Sequence, residues 1–276
     1  MANIPKGVIN SIVYLQKIGH LEMGKKTFKI QTNAPNKMDA GLIEWQDKIK
    51  DGKGARKSRE LLQGIIKQLC IQSMVHWYWG NKNEYYPLTY KERYLYSHFA
   101  VAVNKFAEIH LSEHKISRKS RHYEDSAGRV DHWAYFKKMH YFFELKRESF
   151  GFEETKWPKK LDNAIESVFK QSKSLKKEIE EWMGTNDNGS LVGMCIVLPS
   201  ATSTSDRFKL RNKNKENFME IGDKAAKVFI KQEMKRKTSN IVAVWRPPFN
   251  AQFFQNENDN GQNGEEFIPY IGFVAQ

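Results

Sequence analysis

Cysteine is scarce in this chain: 276 residues hold two, Cys70 and Cys195, far apart and in no Cys-x-x-Cys arrangement. Neither a disulfide framework nor a thiolate zinc site is indicated, and a reducing compartment fits best. Long apolar runs are missing as well. No stretch reaches the roughly 18 residues a membrane span requires, and the opening MANIPKGVINSIVYLQKIGH lacks a basic segment followed by a long apolar core. The expectation is a soluble, cytoplasmic protein with no membrane partner. Internal repeats are absent, and only QNENDNGQNGEE near the carboxyl end is low in complexity, which reads as an exposed loop. Acidic residues are the minority charge: 32 Asp and Glu stand against 45 Lys and Arg, a formal net charge of +13. A surface so biased attracts a polyanion over long range, which makes nucleic acid the leading partner class.

What is present suffices for a sizeable core. With 40% hydrophobic and 13% aromatic residues, the chain suits one elaborated domain or two small ones. KIKDGKGARKSRE reads as a basic, glycine-bearing turn. It leads into a helix whose Leu61, Leu62, Ile65, Ile66, Leu69 and Ile71 recur at helical spacing. Gly80 and Pro87 then break the chain, and Thr89 with Glu92 can form a capping box for a helix from about Tyr90 to Leu111, striped by Leu95, Phe99, Ala102 or Val103, and Phe106. The polar passage KISRKSRHYEDSAG leaves room for one short strand. A hairpin follows, then a second long helix striped by Ile165, Val168, Phe169, Leu175, Ile179 and Trp182, then the strand LVGMCIVLPS. A Lys-rich helix around KENFMEIGDKAAKVFIKQEMKRK and two strands, NIVAVWRPPF and EEFIPYIGFVAQ, complete a mixed α/β order. The expected division is an N-terminal, mostly helical accessory region over 1–88 and a core with a C-terminal extension over 89–276.

The hairpin, GRVDHWAYFKKMHYFFELKRES, carries charge where a core strand should carry none. Alternation puts Phe142, Glu144 and Lys146 on one face of its second strand and Tyr141, Phe143 and Leu145 on the other. If KKM is the turn, antiparallel pairing brings Asp131 near the same strand end. Carboxylates held together repel, and burial raises the cost of keeping them ionised unless a cation sits between them. Hard oxygen ligands of this kind suit Mg²⁺ or Mn²⁺, and a neighbouring lysine can orient a water and offset charge on a phosphate undergoing attack.

At Val130–Asp131 and Glu144–Leu145–Lys146, set in the order helix, strand, strand, helix, strand, the chain resembles the PD-(D/E)xK nuclease superfamily over roughly residues 90 to 200. The resemblance implies a restriction-endonuclease-like core (helix, mixed sheet with central β-hairpin, helix, strand) with added N- and C-terminal elements. It also implies Asp131 and Glu144 as metal ligands and Lys146 as the catalytic lysine. Val130 stands where the family name puts proline. Glu-x-Lys occurs four times in the chain, but only Glu144–Lys146 ends an apolar strand-like run with another such run and an aspartate upstream. Many members of the superfamily draw one more acidic residue from the first helix, where Glu108 is the candidate, although a helical wheel turns it away from the Leu95–Phe99–Phe106 stripe. Gln171, on the following helix, lies where some relatives place a DNA-contacting glutamine. The expected activity is a Mg²⁺- or Mn²⁺-dependent deoxyribonuclease acting on double-stranded DNA, an endonuclease of restriction or genome-defence type. Because two cuts on a duplex usually require two active sites, a homodimer is a hypothesis.

Basic clusters are spread along the chain, and Arg118, Lys119 and Arg121, just before the hairpin, are best placed to grip phosphates. Trp77, Tyr78 and Trp79 can stack on bases or serve as core. Two alternatives stay open. One is a nucleic-acid-binding protein without catalysis, in which the hairpin is only structural. The other is a zinc metallopeptidase built on His110, Glu113 and His114 of HLSEH, which on a helix would set two histidines one turn apart and take a third ligand from Glu180 or Glu181.

Overall fold

The structure is a computed structural model describing residues 16–17, 25–32, 38–50, 54–79, 87–89, 92–118, 126–151, 158–183, 189–202, 215–257 and 263–276. In chain order the elements are β1 (Gln16–Lys17), β2 (Lys25–Gln31), β3 (Asp39–Asp47), α1 (Ala55–Trp79), α2 (Glu92–Asn104), β4 (Ile109–Arg118), β5 (Ser126–Tyr135), β6 (His140–Gly151), α3 (Lys159–Ser174) and α4 (Lys176–Met183). Then follow β7 (Gly189–Thr202), α5 (Lys215–Lys235), β8 (Ile241–Arg246), β9 (Phe253–Glu257), β10 (Asn263–Phe267) and β11 (Ile271–Ala275). No helix is long and apolar enough to cross a membrane among the described residues.

One mixed sheet organises these elements, in the order β1-β2-β3-β8-β11-β7-β6-β5-β4, with β9 and β10 branching from β7. The β6–β7 pair is parallel and is joined by a crossover through α3 and α4, as parallel neighbours require. Strand alternation divides the core between two faces. Tyr141, Phe143 and Leu145 of β6, Met194 and Ile196 of β7, Ala243 and Trp245 of β8 and Phe273 of β11 pack with α1 and α2. Cys195 and Val197 of β7, Val242 and Val244 of β8 and Val274 of β11 pack with α3 and α5. A smaller cluster holds Val130, Trp133 and Phe142 against Leu175, between α3 and α4, and Ile179 of α4. The result is a three-layer α/β/α arrangement, in which the inner strands are apolar on both faces because helices cover both.

Several expectations change. Residue 88 does not divide the core: β2 and β3 join the same sheet through the β3–β8 pair, and α1 packs into the same cluster as α2. The carboxyl-terminal strand is no extension, since β11 lies between β8 and β7 and is buried along its length. The helix expected to reach Leu111 stops at Asn104. Phe106 and Ala107 close the last turn onto Val103 O, and the Glu108 amide then bonds Tyr135 O, starting sheet pairing instead. The second long helix is broken at Leu175, so that α3 covers β6 and β7 while α4 covers β4, β5 and β7.

The β5–β6 turn is as tight as two strands allow. Phe136 and Met139 exchange backbone hydrogen bonds of 2.9 and 3.1 Å, leaving Lys137 and Lys138 as the two loop residues with φ of 50° and 61°. Positive φ at both positions matches the right-handed twist of the strands but usually selects Asn-Gly, because a Cβ crowds the following carbonyl. Lys137 is held in compensation: its amide donates to Glu108 Oε1 at 3.1 Å, its ammonium pairs with Glu60, and Lys57 Nζ donates to its carbonyl at 2.7 Å.

Candidate active site at the parting of two strands

The β5–β6 ladder runs from Tyr135–His140 to His132–Phe143. One step further, where Asp131 would face Glu144, the backbone of β6 finds a side chain instead: the Leu145 amide donates to Asp131 Oδ2 at 2.7 Å. Leu145 is the residue between Glu144 and Lys146, so the aspartate carboxylate lies against the peptide that links the other two candidates. Its Oδ1 accepts from the Tyr96 hydroxyl of α2 at 2.9 Å.

Asp131 reaches this position because β5 is irregular here. Val130 and Trp133, three residues apart, share the cluster under α4, while His132 packs on Phe99 of α2 with ring centroids 4.8 Å apart. Strict alternation would separate Val130 from Trp133, so the strand turns over between them. Opposite, on β4, Glu113 takes a φ of 50° between the regular pairs Ser112–His132 and His114–Val130.

Glu144 and Lys146 follow the alternation expected of them. Their partners in β7 are Gly193 and Cys195, and Cys195 packs with α3. A Cβ at Gly193 would come within 3.0 Å of Val168 O and Ser172 Oγ, so only glycine lets this turn of α3 close onto the sheet. Glu144 is buried beneath that layer and Lys146 is half-buried. The three side chains therefore do not share a face: Glu144 and Lys146 stand on the α3 side, and Asp131 fills the gap between strands and leans to α2. Among the described residues Lys146 makes no ion pair or hydrogen bond, and no group of three His, Cys, Asp or Glu could hold a metal ion.

Two carboxylates still fit a hard cation by donor chemistry. Both Asp131 oxygens are carboxylate acceptors fixed by Tyr96 and the Leu145 amide, and Mg²⁺ needs only one or two carboxylates because water and substrate phosphate complete its shell.

The remaining candidates separate. Glu108 is exposed at the hairpin turn, about 13 Å up the strands from Asp131 by strand rise, and caps the Lys137 amide, so it is removed from the ligand set. Gln171 is half-buried on α3, in the turn between Val168 and Ser172 that closes over Gly193, and so stays beside the candidate site. Arg118 is placed only as the last residue of β4, and Lys119 and Arg121 lie outside the described residues. Trp77 packs partly buried against the core, whereas Trp79 is 67% exposed.

HLSEH is strand, not helix, which removes the one-turn spacing the peptidase needs. His110 Nε2 instead lies 3.0 Å from His132 Nδ1, and Glu113 pairs with Arg129 at 2.7 Å. His132 was not singled out from the sequence, yet it is the immediate neighbour of the site. It is fully buried between Tyr96, Phe99 and His110, and burial, with His110 beside it, pushes its pKa down to about 3. Its only sequence signal is an imidazole directly after Asp131 in an apolar run. Tyr96 gave less, being a polar position beside the Leu95 stripe. No protein-family model matches the chain, and no curated protein or solved structure matches it either.

Proposed function

We propose that this protein is a metal-dependent nuclease with a restriction-endonuclease-like core, hydrolysing phosphodiester bonds of double-stranded DNA as an endonuclease of restriction or genome-defence type. The observation that carries the reading is the 2.7 Å hydrogen bond from Leu145 N to Asp131 Oδ2, which sets one carboxylate against the Glu144–Leu145–Lys146 segment where two strands part. The run α2, β4, β5, β6, α3, α4, β7 supports it as the helix and strand order this chemistry is resembled by. So does the net charge of +13.

In this reading Asp131 and Glu144 would hold Mg²⁺ or Mn²⁺, and the ion would neutralise phosphate charge and make water more acidic. Tyr96 fixes the Asp131 carboxylate by hydrogen bonding to one oxygen. Lys146, without an ion pair among the described residues, orients the attacking water and offsets the negative charge gathering on the phosphate. Gln171, half-buried on α3, would be the residue that meets the bound strand. A non-catalytic nucleic-acid-binding protein is the second reading, and the facing of Glu144 toward α3 while Asp131 leans to α2 favours it.

Digestion of plasmid, linear and single-stranded DNA with Mg²⁺ or Mn²⁺ separates the two. Cutting by wild type that is lost in Asp131→Ala and Lys146→Ala supports the nuclease. Equal cutting by all three proteins places the activity elsewhere, and DNA binding by all three with no cutting leaves the binding protein.

A further inference from the structure

On the α3 and α5 side of the sheet, α5 and the β2–β3 pair enclose a groove of about 570 Å³. Ile230 and Met234 form its apolar floor. Along one wall stand Lys227, Lys231 and Lys235, at i, i+4 and i+8 on α5 and so about 6 Å apart at 1.5 Å rise per residue. All three are exposed, and none makes an ion pair or hydrogen bond among the described residues. The opposite wall offers Thr27 and Gln46 as neutral hydrogen-bonding groups, together with Glu44. That carboxylate is already matched, because Arg246 pairs with it and also with Asp223. Lys29, two residues after Thr27 on the same strand face, lies just beyond the groove and makes no ion pair or hydrogen bond among the described residues.

A lysine stripe on a helix is often no more than a solvated face, and α5 itself shows what that looks like: Lys224 is paired with Glu220 at 2.7 Å, one turn apart. The groove side is different. Its cations form a row along an apolar floor, and the one acidic residue a turn away on the helix, Asp223 before Lys227, is engaged by Arg246. Three cations over about 12 Å ask for several anionic groups in line, which one phosphate does not supply and a nucleic-acid strand, with one phosphate per about 3.4 Å of duplex axis, does. Lysines act as point charges without bidentate recognition, so such a contact holds the backbone and does not read bases.

We propose that this groove seats the sugar-phosphate backbone of nucleic acid, as a binding track separate from the β5–β6 cluster. The inference rests on nucleic acid being the partner but not on cleavage. β8, β11 and β7 lie between β3 and β6, so the track runs about 19 Å across the sheet from Glu144, a distance a short duplex spans.

The test measures binding of fluorescent DNA, a duplex of about 25 base pairs and the matching single strand, in EDTA with Asp131→Asn in every protein so that nothing is cut. Lys227→Gln/Lys231→Gln/Lys235→Gln is compared with an equal charge change elsewhere, Arg56→Gln/Lys105→Gln/Lys138→Gln, with thermal melts confirming that both fold. The groove variant should bind about tenfold or more weakly at 0.1 M salt, with the log–log salt slope for duplex smaller by about 2 to 3, roughly 0.9 per lost phosphate contact. The comparison variant should stay within about threefold of its parent. Equal losses in the two variants, or no measurable binding by the parent, overturn the proposal. So does a groove variant that keeps DNA affinity but loses poly-glutamate, which would make the occupant an acidic polypeptide. Wild-type protein that binds DNA through the groove but never cuts would sink the nuclease reading alone.

Discussion

Tyr96 donates its phenolic hydrogen to Asp131 Oδ1 at 2.9 Å, tying α2 to the place where β5 and β6 part. The same ring packs edge-on against His132, at 5.5 Å between centroids. Asp131 is thus oriented from two sides, by a helix hydroxyl and by the Leu145 amide of the neighbouring strand. If the carboxylate is a metal ligand, loss of the hydroxyl leaves the cluster packed but the ligand less well directed. Tyr96→Phe should raise the Mg²⁺ or Mn²⁺ concentration for half-maximal cleavage by about tenfold, with most of the rate recovered at saturating metal. Metal titration of plasmid cleavage reads this, and an unchanged midpoint would show that Tyr96 only packs.

The two lysines of the β5–β6 turn bear unequal contacts. Lys137 has Glu60, Glu108 and Lys57 around it, whereas Lys138 is exposed with φ of 61° and no partner among the described residues. Left-handed backbone costs a non-glycine residue about 1–2 kcal/mol, part of which glycine returns as added freedom in the unfolded chain. Lys138→Gly should therefore stabilise the protein by about 0.5–1 kcal/mol in urea unfolding. Lys137→Gly should gain less or lose, because its side-chain contacts go with it.

Arg236, just past the end of α5, binds the fully buried Glu233 at 2.9 Å and also pairs with Asp162 of α3, which fastens the two helices together. Its guanidinium pKa is raised by the Glu233 and Asp162 carboxylates against the opposing effect of burial. Removing one partner of a buried pair leaves a charge with little water to solvate it. Arg236→Met should cost about 3 kcal/mol or more, whereas Lys224→Met, which breaks an exposed pair with Glu220, should cost less than about 0.5 kcal/mol. Equal effects in chemical denaturation would contradict the burial argument.

Lys67 on α1 lies over the Phe28 ring, its ammonium 4.0 Å from the centroid. Burial, with the charge of Lys26 adding to it, lowers its pKa to about 8. At pH 8 about half of this amine is neutral, against well under about 1% of an ordinary lysine. Brief acylation at pH 8, mapped by mass spectrometry, should mark Lys67 ahead of exposed Lys159 and Lys160, with the preference shrinking as pH rises toward 10.5 and the ordinary lysines lose their protons as well. Because a base with a lowered folded pKa is penalised at low pH, the same shift makes folding more favourable as pH rises from about 8 toward 10.5. A pH-independent order of labelling would argue against it.

Helices α1, α2, α3 and α5 were legible because their apolar residues repeat every three or four positions, a pattern set within one segment. The Asp131, Glu144 and Lys146 candidates were legible for a similar reason, as charges inside runs that otherwise alternate. β2 and β3 escaped notice: they lie in the region expected to be mostly helical, and it is pairing, β2 with β3 and β3 with β8, that makes them strand. β4 was hidden by a helical stripe that continues to Phe106, which still packs against the core after the helix has ended.

Local periodicity and composition thus determined most helices, the β5–β6 hairpin with a turn at KKM, and the basic character that points to a polyanion. Tertiary structure alone decided that the last strand sits mid-sheet, that residues before 88 share the core, and that Asp131 lies in the gap between strands while Glu144 and Lys146 stand toward α3. The reason is that sheet neighbours are chosen by backbone hydrogen bonds between segments far apart in the chain, which leave no periodic trace in either one.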